Sequence, residues 1–190
     1  MSINYVVEQV FEKLEFSESP LEKGDYELCT FRECSFSNAD LSGIRFLETE
    51  FVDCDFSNAN LNKTAFQEVR VENCKMLGLQ FENCNDFGFE VEFQNCNLDH
   101  STFFKMKLNR CFFDSCHLKR VDFTECELKK ISITNCDLLE ATFDRTNLEK
   151  ADFRKSVNYS IDPEFNNVKG AFFSNPEVLG LLEKYGIIVS

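Results

Sequence analysis

The sequence holds no C-x-x-C pair, no glycine-rich phosphate loop and no apolar run near the roughly 20 residues that cross a bilayer as a helix. Its two histidines, His100 and His117, have no partners at ligand spacing, and no nucleophile has an evident base. Metal, nucleotide and nucleophilic chemistry are therefore disfavoured. The expectation is a chain with no metal, no cofactor and no catalytic residue, and so not an enzyme. No basic apolar signal segment is seen near residue 1 either, which together with the missing span points to a soluble, cytoplasmic protein with no membrane partner. Positive charge is scarce as well. Only 20 Lys and Arg stand against 33 Asp and Glu, a net charge of -13, and such a surface repels nucleic acid.

What the chain has in abundance is Phe and Leu at an interval of five. From Tyr26 a bulky apolar residue recurs at Phe31, Phe36, Leu41, Phe46, Phe51, Phe56, Leu61, Phe66, Val71, Met76 and Phe81. A second run leads from Phe93 through Leu98, Phe103, Leu108 and Phe113 to Phe153. Helices repeat at 3.6 residues and strands at 2, so a period of five requires a corner in every repeat, and the chain must be a solenoid. The residue two places before each bulky one is small or apolar, as at Cys29, Cys34, Ala39, Ile44 and Cys54. Two of five residues thus face inward, and the other three are mostly polar or charged. All ten cysteines fall in the small inward register, Cys84 being counted with its phase. They read as small buried hydrophobes, not as ligands or disulfide partners.

A second period of 20 lies over the first. Cys34-Ser35-Phe36-Ser37-Asn38-Ala39-Asp40-Leu41 returns as Cys54-Asp55-Phe56-Ser57-Asn58-Ala59-Asn60-Leu61, the period that a coil of four repeats predicts. Phe81 and Phe93 are 12 apart, so two extra residues interrupt the register between them.

The units Ala39-Asp40-Leu41-Ser42, Ala59-Asn60-Leu61-Asn62 and Cys136-Asp137-Leu138-Leu139 resemble the A-(D/N)-L-X-X motif of pentapeptide-repeat proteins. That resemblance implies an all-β fold, a right-handed quadrilateral β-helix with one pentapeptide on each face. The expected organisation is an N-terminal cap and imperfect first coil over 1–25, and a pentapeptide-repeat β-helix over 26–174 interrupted at 82–92. Residues 175–190 then form a short C-terminal α-helix and dimerisation tail. In the first segment, Tyr5 to Phe16 could be either a coil or a cap over the end of the core. At the interruption, Asp86 takes a place expected to be apolar, and Phe87 and Phe89 read as bulge packing. After Phe153 the repeats degrade, with Asn158 and Pro163 at core places. Asn175 reads as a helix N-cap and Pro176 as the first helical residue, with Gly186 ending the run.

The apolar stripe Val178, Leu179, Leu182 and Tyr185 and the tail Ile187-Ile188-Val189 exceed what one coil end needs for cover. A homodimer joined through the C-termini is expected, the other reading being a cap on the chain's own end. Val157 to Asp162 and Leu181 to Ile187 are similar to the ends of the quinolone-resistance and albicidin-resistance pentapeptide-repeat proteins, which dimerise there. Resemblance to that group implies binding to a type II topoisomerase, DNA gyrase or topoisomerase IV, as a DNA mimic that protects the enzyme from quinolones or a related toxin. A dimer about 70 Å long would carry -26, about one net charge per 3 Å, against one per 1.7 Å for duplex DNA. The acidic, outward candidates for that contact are Glu48, Glu50, Asp53, Asp55, Glu82, Asp86, Glu90, Glu92, Asp114, Glu125, Glu140, Asp144, Glu149 and Asp152. The alternative is a β-helical scaffold or interaction module with no topoisomerase role. The long loops of several quinolone-resistance relatives are missing here, since only two residues are inserted.

Overall fold

Once per repeat the backbone enters the left-handed region, where Leu28, Glu33, Asn38, Gly43, Glu48 and Asp53 have φ between 47° and 73°. Four such corners close one coil. In this computed structural model, which describes residues 4–188, residue n lies beside residue n + 20 in the next coil. Val189, expected in the apolar tail, lies outside the described residues. The four-sided β-helix implied by the resemblance, with its period of 20, is the architecture.

The strands are β1 (Asn4–Val7), β2 (Val10–Glu12), β3 (Gly24–Glu27), β4 (Thr30–Arg32), β5 (Arg45–Leu47), β6 (Glu50–Val52), β7 (Ala65–Gln67), β8 (Val69–Glu72), β9 (Val91–Gln94), β10 (Phe112–Asp114) and β11 (Ser132–Thr134). β1, β3, β5 and β7 form a parallel sheet on one face. The other seven form a parallel sheet on the next face. Isolated parallel bridges such as Ser35↔Asp55, Asp40↔Asn60 and Asp122↔Thr142 hold the remaining two faces. From Phe11 to Phe173 the stack is about 38 Å long, at about 4.8 Å per level.

The bulky inward residues form columns. Phe16, Phe36 and Phe56 stack at 4.7 and 4.6 Å, and Phe81, Phe103, Phe123 and Phe143 at 4.4, 5.4 and 5.2 Å. Neighbouring columns meet edge to face, as Phe31 does with Phe36 at 5.5 Å. Both geometries suit the ring quadrupole. The small inward residue has a second task, which explains why Cys, Thr and Ser interchange there. Thr64, Ser101, Thr146 and Ser156 each donate a 2.8 Å hydrogen bond to a carbonyl in the preceding coil, and Cys126 makes the equivalent contact to Phe103. A buried hydroxyl or thiol is thereby satisfied. The Asp or Asn of the motif also has a local reason: its side chain accepts the N–H two residues on, as Asp40 does from Ser42 and Asn147 from Glu149.

Three expectations need correction. First, the interruption is a core repair at residues 86–90. Ala65 still pairs with Asn85, 20 residues on, whereas Val69 pairs with Val91, 22 on. Asp86 occupies the place of a bulky column residue but faces solvent, and Phe89 turns inward instead, edge to face with Phe66 and Phe81. Phe89 is packing, as expected; Phe87 is not, being 78 % exposed.

Second, Asn158 and Pro163 do not enter the core. Asn158 is an exposed corner with φ 61°, and the buried places go to Tyr159, Ile161 and Asn166. Asn166 satisfies its amide by donating to the Phe143 carbonyl and accepting from the Thr146 N–H.

Third, the described residues contain no C-terminal α-helix. Glu177–Leu181 and Glu183–Tyr185 are 3-10 turns, and Pro176 stands at the cap position with no side-chain cap from Asn175. The physical reason is Gly180. Its carbonyl accepts the Ile161 N–H at 3.1 Å, and a Cβ there would lie 2.1 Å from the Tyr159 carbonyl oxygen. Glycine weakens a helix by about 1 kcal/mol, and contact with the last coil fixes the backbone in another path.

Candidate partner-binding surface

Because inward places are fixed by the stack, recognition must use the outward columns, and these carry long runs of charge. Among the described residues, ten of the sixteen ion pairs join residues 20 apart, one level above the other, such as Arg45–Asp25 at 2.8 Å, Lys75–Asp55 at 3.2 Å and Lys129–Glu149 at 2.8 Å. Exposed pairs of this kind contribute little each, roughly 0–1 kcal/mol.

Of the fourteen acidic candidates, nine are ion-paired. Glu50 and Glu92 flank Arg70 at 3.5 and 3.3 Å, Asp55 meets Lys75, and Glu90 meets Arg110 at 3.3 Å. Glu125 lies between Lys105 and Arg145, Glu140 against Arg120, Asp144 against Arg145, Glu149 against Lys129, and Asp152 against Arg154. Glu48, Asp53 and Asp86 are exposed and have no ion pair among the described residues. Asp114 accepts hydrogen bonds from Asn135 and Thr134, and these hold its carboxyl below the usual range. Glu82 is not a free surface acid. One of its oxygens is buried without a partner, and burial pushes its carboxyl up.

Glu48, Glu50, Glu90 and Glu92 do come together. With Glu68 they line a groove of about 270 Å³ at the corner between the two sheets, floored by Thr49 and Val69. Glu48 and Glu68 are themselves corner residues, with φ 47° and 54°, and Glu90 of the insertion lines the groove beside them. Glu68 was missed by sequence reasoning, although its place 20 residues after Glu48 was the available signal.

A larger feature was also missed. Residues 1–99 hold 20 acidic and 7 basic residues, and residues 100–190 hold 13 of each, so the whole net charge of -13 sits in the first half. The corner that carries Glu48 and Glu68 carries Lys130 and Lys150 further along, neither ion-paired among the described residues. The average of about one charge per 3 Å of dimer thus conceals an uneven distribution. The acidic half carries about one net charge per 2 Å of axis, close to the one per 1.7 Å of duplex DNA, and the other half is neutral.

At the far end, Val178, Leu179, Leu182, Tyr185, Ile187 and Ile188 are all exposed, Ile188 by 92 %. Leu179, Leu182 and Ile187 line a recess of about 160 Å³. Tyr185 donates to Glu164, and Lys184 bridges Asp162 and Glu164 at 2.7 Å, which pins the segment to the last coil. Among the described residues no group of His, Cys, Asp and Glu could hold a metal ion, and no helix is long and apolar enough to cross a membrane. All ten cysteines are free thiols, and burial raises that of Cys111 to about 12.

A family model described as pentapeptide repeat region matches residues 24–103 and 80–157. No curated protein matches the sequence. Among solved structures, two trypsin-treated variants of QnrB1, described as a plasmid-mediated fluoroquinolone resistance protein, superpose over nearly the whole chain. One has a TM-score of 0.66 and 18 % identity, covering 98 % of this chain and 100 % of its own. The other has a TM-score of 0.65 and 20 % identity, covering 97 % and 99 %. HetL, a pentapeptide repeat protein involved in heterocyst differentiation regulation from the cyanobacterium Nostoc, aligns with a TM-score of 0.38 and 14 % identity, covering 88 % and 84 %.

Proposed function

This chain belongs to the pentapeptide-repeat family, and we propose that it is a non-catalytic rod that binds a type II topoisomerase, DNA gyrase or topoisomerase IV, in place of DNA. In that role it relieves the enzyme of quinolones or a related toxin. The observation that carries this reading is the acidic half. A smooth four-sided rod with a net charge of -13 in residues 1–99 offers a cationic DNA-binding groove nearly the charge density of duplex DNA. The full-length likeness to the QnrB1 structures supports the same direction at the level of fold.

The exposed C-terminal patch adds a second part to the proposal. Two chains joined through Val178, Leu179, Leu182, Tyr185, Ile187 and Ile188 would make a rod of about 75 Å, twice the single stack. Its charge would lie in two acidic blocks at the outer ends, with a neutral centre. The other reading, a scaffold for some unrelated partner, draws on the neutral half, where every nominated acid except Asp114 is ion-paired.

Supercoiling by purified gyrase tests the proposal. The wild-type chain should inhibit at high concentration and, at lower concentration, restore activity in the presence of a quinolone. Glu48→Lys with Glu68→Lys should weaken both effects about tenfold, since reversed charges meet like charges across the contact. Glu140→Lys with Glu149→Lys, the same change in net charge, should leave them nearly unchanged. A wild-type chain without effect on either topoisomerase at any concentration refutes the reading and favours the scaffold.

A further inference from the structure

Among the described residues, no coil lies above the first level of the solenoid. β1 and β2 form the first level, and Phe11 stacks on Phe31 at 4.5 Å through one side of its ring only. Above it lies a concavity of about 580 Å³, lined in part by Val6, Phe11, Phe16, Leu21 and Tyr26. Val10 is 62 % exposed and Tyr5 57 %, and Val7 and Leu14 are exposed beside them.

The backbone at this end is unfinished in the same way. At the second level, Thr30 and Ser35 donate their N–H groups to the carbonyls of Gln9 and Leu14 in the level before, at 2.9 and 2.8 Å. Their first-level equivalents are Val10 and Glu15, and the described residues contain no earlier level to receive those donors. On the fourth face the equivalent residue is Pro20, which has no donor, so the open edge among the described residues lies along the first three faces, where β1 and β2 are the edge strands of their sheets.

Charge identifies what fits there. In later coils an acidic residue commonly meets a basic one a level away, as in Arg45–Asp25, Arg70–Glu50 and Lys75–Asp55. Glu8, Glu12 and Glu15 stand at the first level with no ion pair among the described residues, although Lys13 pairs with Glu33. A second copy placed head to head would set these glutamates against themselves. A second copy placed head to tail is blocked, because the segment around Gly180 already covers the last coil.

We infer that this end is a docking face for a basic, extended segment of another protein, which adds a strand to the edge of β2. Its inward apolar side chains cover Phe11, and its outward Lys or Arg side chains lie over Val10 with their aliphatic stems and supply the missing level of ion pairs to Glu8, Glu12 and Glu15. This is strand addition, with main-chain bonds giving affinity and alternate side chains giving selectivity. It requires no topoisomerase.

Hydrogen exchange on the full-length chain, with a capped octapeptide of alternating valine and lysine as the probe, tests it. The peptide should protect amides within residues 10–16. The same peptide carrying two internal prolines keeps its charge but cannot pair, and should bind about tenfold more weakly. Glu12→Lys with Glu15→Lys should lose the peptide and gain its valine–glutamate counterpart. Equal binding by the proline peptide, or protection confined to residues 48–92, would mean simple charge attraction and overturn the inference. So would amides 10–16 already protected in the free chain through a dimer. The proline comparison uses the wild-type protein, so it decides the matter even if the double variant does not fold.

Discussion

Phe89 stands in for Asp86, and the substitution can be tested by removing the repair. In the regular register, residue 86 would project into the column between Phe66 and Leu108. An aspartate there would have to be buried as a charge or protonated, at several kcal/mol. The chain instead turns Asp86 outward and adds Phe89-Glu90, so that a ring reaches the vacant place, 4 % exposed and 6.3 Å from both Phe66 and Phe81. Phe89→Ala should cost about 3–5 kcal/mol, the usual loss for a buried ring. Deleting Phe89 and Glu90 should cost more, because the 20-residue register returns and drives Asp86 inward. Adding Asp86→Phe to that deletion should recover stability to within about 1.5 kcal/mol of the starting chain, since the ring then sits in the column directly.

Guanidinium unfolding followed by circular dichroism gives the four midpoints. The order should be wild type close to the repaired deletion, then Phe89→Ala, then the simple deletion. If the simple deletion unfolds at the wild-type midpoint, the two inserted residues do not rescue Asp86 and the account of the interruption is wrong.

Three further outcomes follow from local geometry. Gly180→Ala places a Cβ 2.1 Å from the Tyr159 carbonyl oxygen, so the turns at 177–185 should lift from the last coil while the β signal persists; sedimentation should then show loss of self-association, and an unchanged assembly would remove this segment from the proposed dimer contact. Acid stability should depend on Asp40, whose carboxyl is held at about 2 by the Ser42 hydroxyl and N–H and by Lys23, against an ordinary 3.8. A lowered carboxylate stabilises the fold above its unfolded value and loses that contribution as pH falls toward 2, so Asp40→Asn should flatten the fall between pH 4 and 2. Glu82 is shifted the opposite way by burial, so it opposes folding once pH rises through its folded value, and Glu82→Gln should be the more stable chain at pH 7.

The columns were legible because each level repeats the demand of the last: one ring and one small donor per face, read directly from Phe31, Phe51 and Cys34, Cys54. The path at residues 86–90 was not, because an interval of 12 fixes the number of inserted residues and leaves open which ring turns inward. The helix expected over 176–185 failed for a related reason. Val178, Leu179, Leu182 and Tyr185 have helical spacing, but Gly180 answers to the Tyr159 carbonyl, a contact that no local pattern contains. The groove at Glu48, Glu68 and Glu90 could have been read by following the 20-residue column across the insertion, and the charge division by summing the two halves.

That division bears on how far likeness of fold can reach. Inward residues answer to the stack, so two chains can share a fold at 18 % identity while their outward columns are free to differ. In this chain one corner runs from Glu48 and Glu68 to Lys130 and Lys150 with the same left-handed backbone at each. The backbone is indifferent to that reversal of sign, since glutamate and lysine face the same steric demand there. A partner that follows the corner meets attraction for half its length and repulsion for the rest, so its position along the axis is set by charge. Replacing Lys130 and Lys150 by glutamate would extend the acidic run without altering a coil. If the topoisomerase reading is correct, that double variant should inhibit gyrase several-fold more strongly than the wild-type chain, since added charge complementarity raises encounter and affinity together. Equal inhibition by both chains would show that the sign of this corner is not read by the enzyme.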